Sequence, residues 1–345
     1  PRLQPSGKIF LDHMPGRCGA KTGAACPYAS VGACPMTPLL SVIIPVWCRP
    51  EKIRRAIASV TSSPQIEVIV VDDGSPDNTA QAAREAMSHA GHSGQVLVQQ
   101  NSGPGAARNT GADTAIGRYI AFLDSDDVWF PHTLPNLLDT LAHPEAKALK
   151  FLQNTTFDAD EMPPHPIGGN STLSHYVGFR DAALHARDIR LGSGCCVILR
   201  ELFQAHGGFD PDLRASEDTD LFLRLPADCG CDLLRDAPLV GIEAGADDRL
   251  STDLEQMRIG LAHLLAQARK GAYPNSADPH LARILAQSIS YTTRKAFGAG
   301  RPGMAYALYF RYLPKLLRAH AWHWTIRLPL LPLLSVLRPG RYALK

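Results

Sequence analysis

The strongest constraint on the fold is a change of hydrophobic period that recurs between Leu39 and Leu123. Leu39–Val46 is an almost unbroken apolar run of strand length, Glu51–Ser62 spaces its apolar residues with helical period, and Ile66–Val71 is again apolar and β-branched. Val96–Gln99, Gly105–Ile116 and Tyr119–Leu123 continue the series as strand, helix and strand. Strands that are apolar on both faces need cover on both sides, which a mainly parallel sheet flanked by helices supplies. The expected class is therefore α/β. Between the second and third strands, Ser75 followed by Pro76 reads as an N-cap with proline at the first helical position, opening a helix to about His89.

Beyond this block the pattern loosens. A helix is expected near Pro131–Leu141 and a strand near Ala148–Leu152, followed by an irregular polar region to about Ile189. Cys195–Leu199 reads as a strand, Glu201–His206 and Glu217–Leu225 as helices, and the last hundred residues as helical near Thr252–Arg269, Pro279–Phe297 and Pro302–Leu317. The chain divides into a tail at 1–38, an α/β half at 39–150, a second half at 151–245 and a helical extension at 246–345. The tail is aperiodic. Its Cys18, Cys26 and Cys34 lack the close ligand pairs of structural zinc sites, so a flexible tail or a start-site artefact before Met36 is expected.

In a parallel sheet each strand delivers its C-terminal end to one edge, where ligands of such sheets sit. Strand one is followed there by Pro45-Val46-Trp47, strand two by Asp72-Asp73-Gly74-Ser75, and strand four by Asp124-Ser125-Asp126-Asp127. Several carboxylates crowded in water-poor surroundings require a compensating cation or hydrogen-bond donors. All-oxygen ligands select a hard ion, Mg²⁺ or Mn²⁺, whose remaining positions suit phosphate oxygens, and this points to a nucleotide diphosphate. The plainer alternative is that Asp72–Ser75 merely turn the chain. Gly103-Pro104-Gly105-Ala106-Ala107-Arg108 is equally open: a tight turn before a helix, or a loop that aims Arg108 at phosphate. No glycine-rich turn follows the first strand and no P-loop is present, which disfavours the dinucleotide-binding and P-loop classes.

Composition sharpens this reading. With a net charge of +2 and 45% hydrophobic residues the chain is globular, and nucleic acid is no default partner. The charge is uneven: no Asp or Glu follows Asp278, and the eleven Lys and Arg of 279–345 leave the first 278 residues at −9. Residues 301–345 add Trp322 and Trp324 to leucine-rich stretches, a composition that suits either an anionic membrane surface or a helical subdomain packed on the core. No apolar run approaches the ~20 residues of a membrane span. Eight cysteines, with Cys195 and Cys196 adjacent, suit reduced thiols and a cytoplasmic setting. The histidines show no zinc-binding spacing.

Taken together, Ser41-Val42-Ile43-Ile44-Pro45, Val70-Val71-Asp72-Asp73-Gly74-Ser75, Asn101 with Gly103–Asn109, Phe122-Leu123-Asp124-Ser125-Asp126-Asp127 and Glu217-Asp218 resemble the family 2 glycosyltransferases of the GT-A fold. The resemblance covers about residues 39–225. It implies that Pro45 and Trp47 contact the nucleotide base, with the Trp47 ring stacked on it, and that Asp72 or Asp73 accepts a hydrogen bond from the base. Asp124, Ser125 and Asp126 would hold the ribose and the metal, with Asp127 as an extra carboxylate, and Arg108 would lie near the sugar or phosphates. By the same likeness Asp218 is the general base. Without it, Ser216 and the acids after it would serve as a helix cap and a helix-dipole partner. Asp220 is expected on the helix surface.

The implied activity is inverting, metal-dependent transfer of a hexosyl group from a nucleotide-diphosphate sugar, uridine-linked, to a hydroxyl of a glycan or lipid-linked acceptor. The alternatives are a nucleotide-sugar-binding protein without catalysis and a sugar nucleotidyltransferase.

Overall fold

A computed structural model describes residues 37–143, 146–158, 169–186, 189–244 and 253–331. The expectations for the cysteine-bearing tail at 1–36 and for the end of the chain after Leu331 lie outside the described residues. The leading block forms as its hydrophobic period dictates: β1 (Leu40–Val46), α1 (Pro50–Ser59), β2 (Ile66–Asp72), α2 (Thr79–Ala90), β3 (Gly94–Val98), α3 (Pro104–Thr114) and β4 (Tyr119–Phe122). Then come β5 (Val128–Trp129), α4 (Thr133–Ala142), β6 (Leu149–Leu152), β7 (Asn154–Asp158), β8 (Thr172–Tyr176) and α5 (Phe179–His185). After a 3₁₀ turn at Ser193–Cys195 follow β9 (Cys196–Leu199), α6 (Arg200–Ala205), α7 (Glu217–Arg224), β10 (Cys231–Arg235) and β11 (Val240–Ala244). The chain continues as α8 (Leu254–Lys270), α9 (Pro279–Gly298), α10 (Pro302–Arg318) and α11 (Trp322–Arg327).

Eight strands form the main sheet in the order β3-β2-β1-β4-β9-β6-β10-β8, and β5-β11-β7 form a small second sheet. β3, β2, β1 and β4 run parallel, whereas β9 runs antiparallel between β4 and β6. The registers align the strand ends. Val46 sits opposite Asp72 and Ile43 opposite Phe122, so the segments following β1, β2 and β4 leave at one rim. Because β9 runs the other way, with Ala121 opposite Val197, its N-terminal approach Gly192–Cys195 reaches that same rim.

Side-chain alternation along the strands divides the core between the two faces. Val42, Ile44, Val68 and Val70 pack under α1, α2 and α4, while Ile43, Ile69 and Val71 pack under α3. A Cβ at Gly111 of α3 would lie 2.5 Å from Ile43 Cγ2, so a glycine there lets the helix close on the sheet. The C-terminal helices belong to this second core: Leu264, Ile284, Ile289, Leu308 and Leu316 join Phe151, Phe179 and Phe222.

Four readings need correction. The helix after β2 begins at Thr79 rather than beside Ser75, because the Ser75 hydroxyl is spent on Asp72 and on the Cys48 N–H. Ser216 does not cap α7 with its side chain; it takes a left-handed φ of 66°. Asp220 is buried rather than superficial, accepting the Tyr273 hydroxyl at 2.8 Å and pairing with Arg224 Nε at 2.8 Å. The region after Leu152 is not wholly irregular, since it contributes β7, β8 and α5.

Candidate functional site

The rim holds two layers of acidic side chains. In the layer after β2 the carboxylates organise loops. Asp72, buried, accepts the Ser75 N–H at 3.1 Å, and Asp73, also buried, accepts the Gln99 side-chain amide and the N–H groups of Ser102 and Gly103, each at 2.8 Å. Asp73 thereby shapes the turn that opens α3, and both its oxygens are engaged. Beside this layer Trp47, just past the end of β1, is 53% exposed, leaving its ring open to a flat ligand.

In the layer after β4, Ser125 and Asp126 share one partner, and Asp124 and Asp127 each meet another. Asp124 pairs with Arg108 Nη2 at 2.7 Å. Ser125 and Asp126 both meet Arg49 Nη1, at 3.4 and 3.2 Å, and Arg55 donates to the Asp126 carbonyl. Asp127 accepts the Glu243 N–H at 3.1 Å, which fastens β11 behind the rim. The compensating positive charge expected for this cluster is thus in part guanidinium, since Arg49 and Arg108 pair with Asp126 and Asp124. Arg49 went unnoticed in the sequence, although a basic residue three positions beyond Val46 at an acidic rim was a legible signal of charge complementarity.

Arg108 joins the two halves of the site. Its other nitrogen, Nη1, lies 3.1 Å from Glu217 Oε1 on the first turn of α7. Burial alone would pull this guanidinium down, but Asp124 and Glu217 more than reverse that and hold it charged. Arg108 is nevertheless not open to solvent, so its observed work is to bridge the β4 acids to the α7 acids rather than to stand exposed for phosphate. The next residue, Asp218, accepts the Thr219 N–H through Oδ1. Burial, and then the adjacent Asp218, push the Glu217 carboxyl up to about 7; burial also raises Asp218, against the pull of Thr219 and Arg108.

Glycines leave room between these groups. The antiparallel register that pairs Ala121 with Val197 places Gly194 beside Asp124, and a Cβ there would lie 2.7 Å from Asp124 Oδ2. A Cβ at Gly192 would lie 3.6 Å from Asp218 Oδ2. Gly192 and Gly194 therefore stand between the β4 acids and the α7 acids, and at Gly194 there is no room for a Cβ.

The donor set suits a hard divalent ion: Asp124, with 36% of its side chain accessible, and Asp126 offer carboxylate oxygens. The neighbouring Cys195 is buried, and its thiol is pushed well up by that burial and by Asp127 and Asp124. Among the described residues, the group of three that lies within ligating reach of one another is Asp210, Asp220 and His263, not Asp124, Asp126 and Asp127. There the Asp220 oxygens already serve Tyr273 and Arg224, so this group ties α7 to α8.

Comparison with known proteins follows the same lines. Residues 41–206 match the model for "Glycosyl transferase family 2". The succinoglycan biosynthesis protein ExoU of Rhizobium meliloti is 32% identical over 197 residues, 53% of this chain and 55% of that protein, so the chain spans about half the length of that relative. A putative teichuronic acid biosynthesis glycosyltransferase of Bacillus subtilis, TuaG, is 38% identical over 191 residues, 54% of this chain and 72% of its own. The crystal structure of S. aureus TarS 1-349 in complex with UDP-GlcNAc shares the fold at a TM-score of 0.56 and 19% identity, over 81% of this chain and 79% of that one. With 38% identity across most of a curated family relative, and with the family's motifs gathered at one rim of a GT-A sheet, the chain belongs to glycosyl transferase family 2.

Proposed function

We propose that this protein is an inverting, metal-dependent glycosyltransferase that moves a sugar from a uridine-diphosphate donor to an acceptor hydroxyl in polysaccharide or glycolipid synthesis. The observation that carries the reading is the Arg108 bridge, which brings Glu217 and Asp218 to the edge occupied by Asp124. In this reading the base stacks on Trp47, and Pro45 and Asp72 line the uracil side. Asp73 shapes that pocket through the turn it holds, and Ser125 faces the ribose. Asp124 and Asp126 hold Mg²⁺ or Mn²⁺, which when bound would stabilise the negative charge growing on the leaving diphosphate.

Asp218 acts as general base. It takes the proton from the acceptor hydroxyl as that oxygen attacks the anomeric carbon opposite the diphosphate. Its burial makes it a stronger base than an exposed aspartate, which suits proton removal near neutral pH. Glu217, held by Arg108, fixes the first turn of α7 so that Asp218 faces the Gly192 approach. The names of ExoU and TuaG favour a cell-envelope or secreted polysaccharide as product, and the UDP-GlcNAc bound by TarS is a donor of the proposed class.

A panel of nucleotide sugars, each with and without Mg²⁺ or Mn²⁺, tests the reading by thermal stabilisation and by product analysis. The expected result is stabilisation by one uridine-diphosphate sugar that depends on the metal, with release of nucleoside diphosphate and inverted anomeric configuration. Release of pyrophosphate would favour a nucleotidyltransferase, and donor binding with no turnover on any acceptor would favour a binding protein.

A further inference from the structure

The C-terminal helices do two things at once. Ala305, Leu308, Tyr309 and Leu316 of α10 are buried against α9, which accounts for part of their apolar content. The rest faces outward. Trp322 is 54% exposed, Ile326 62% and Leu330 45%, at spacings that place them on one stripe running along α11 into the 3₁₀ turn Leu328–Leu330. Phe310 and Leu317, seven residues apart on α10, are exposed as well.

This exposure does not come from a loosely held end. The Tyr309 hydroxyl donates to the Thr325 carbonyl at 2.8 Å, the Tyr306 hydroxyl donates to the Pro329 carbonyl at 3.2 Å, and Leu328 is fully buried. Trp324 turns inward, with the Arg294 guanidinium 4.7 Å from its ring centre. The helix is therefore pinned from beneath while Trp322, Ile326 and Leu330 remain exposed.

The charges around the stripe identify its partner. From Pro279 onward the sequence contains no acid, so Arg311, Lys315, Arg318 and Arg327 border the apolar residues without counter-charge from their own segment. A second copy of the chain docked here would set like charges face to face, which opposes self-association. An anionic bilayer instead neutralises the cations while its interface receives Trp322, Ile326 and Leu330. Beside the stripe, where α5 and α9 meet the α10–α11 turn, a cavity of about 400 Å³ is lined by Arg283, His185, His320, His323, Trp322 and Trp324. Arg283 and the two tryptophans of its lining suit a lipid phosphate at the depth of the headgroups, while His185 is turned to Asp181 at 3.0 Å. No described helix is long and apolar enough to cross a membrane, so the contact lies in the plane of the surface.

We propose that the α10–α11 face is an interfacial anchor that seats this protein on an anionic lipid surface. The proposal stands apart from the transfer chemistry, because vesicle binding requires no sugar donor.

Co-sedimentation of the full chain tests it, using vesicles of phosphatidylcholine alone and vesicles with one third phosphatidylglycerol, at low and high salt. The expected result is binding to the anionic vesicles, weakened by salt and absent from the neutral ones. Trp322→Ser with Ile326→Ser should weaken binding at least about tenfold, and Lys315→Glu with Arg318→Glu should abolish the preference for anionic lipid. Circular dichroism melting checks that each pair remains folded; if one pair unfolds, the other decides. Equal binding to both vesicle types, no binding by the parent chain, or a dimer in solution that Trp322→Ser with Ile326→Ser dissociates would each overturn the anchor.

Discussion

Gly194→Ala is the most local perturbation of the site. The added Cβ would lie 2.7 Å from Asp124 Oδ2 and 3.0 Å from Asp124 Cγ, whereas ordinary contact begins at 3.4 Å. The carboxylate must therefore withdraw by about 0.7 Å, or the β9 approach must move by as much. Withdrawal is resisted, because the other oxygen is held by Arg108 at 2.7 Å and Arg108 is itself buried and tied to Glu217. A displacement near 1 Å at a reacting centre costs up to about 100-fold in rate, so kcat/KM for transfer should fall between about 10-fold and 100-fold. Overpacking adds a stability loss of about 1–3 kcal/mol. Release of nucleoside diphosphate measures the rate, and thermal melting separates it from unfolding. Gly192→Ala, whose Cβ meets Asp218 Oδ2 at an ordinary 3.6 Å, should lose far less. A folded Gly194→Ala protein as active as the parent would refute the placement of Asp124 at the reacting centre.

Trp47→Ala should leave stability within about 0.5 kcal/mol of the parent, since the ring is exposed, but weaken donor binding by about 1–3 kcal/mol through lost stacking. Titration calorimetry reads the second quantity, and unchanged affinity would remove Trp47 from the base site. Asp73→Ala should destabilise the fold by about 2–4 kcal/mol in urea, because it strands the N–H groups of Ser102 and Gly103, and a purely functional residue would not. Glu217 is raised from 4.5 to about 7 in the folded protein, so the stability it contributes is present below pH 4.5 and lost as the pH climbs to about 7. Glu217→Gln, which cannot ionise, should flatten that fall in melting temperature, and an identical pH profile would contradict the assigned cause.

The leading half of the fold is legible because β1, β2 and β4 are buried on both faces and therefore largely apolar, with β2 and β4 running into the acids that mark the rim and β1 into Trp47. What the sequence hid was pairing. The antiparallel insertion of β9 between β4 and β6, which sets Gly194 against Asp124, depends on contacts between residues far apart in the chain. The short strands β10 and β11 were passed over because Cys231–Arg235 and Val240–Ala244 carry Asp232 and Glu243 inside them, and both acids are buried with cationic partners. The burial of Asp220 is hidden for a related reason: Arg224 lies one helical turn away and is legible, but only the folded chain brings Tyr273 to it. Asp72 and Asp73 are legible as turn residues, and the hydrogen bonds of Asp73 place its work in shaping the turn before α3.

The account stands most directly on Asp218. Asp218→Asn keeps the shape of the side chain and removes its capacity to take a proton, so sugar transfer and donor affinity should be measured on the same preparation. Transfer should fall by about 10²- to 10⁴-fold while the donor binds as before. Transfer at the parent rate, or loss of donor binding in step with activity, would contradict the role of Asp218 as the base.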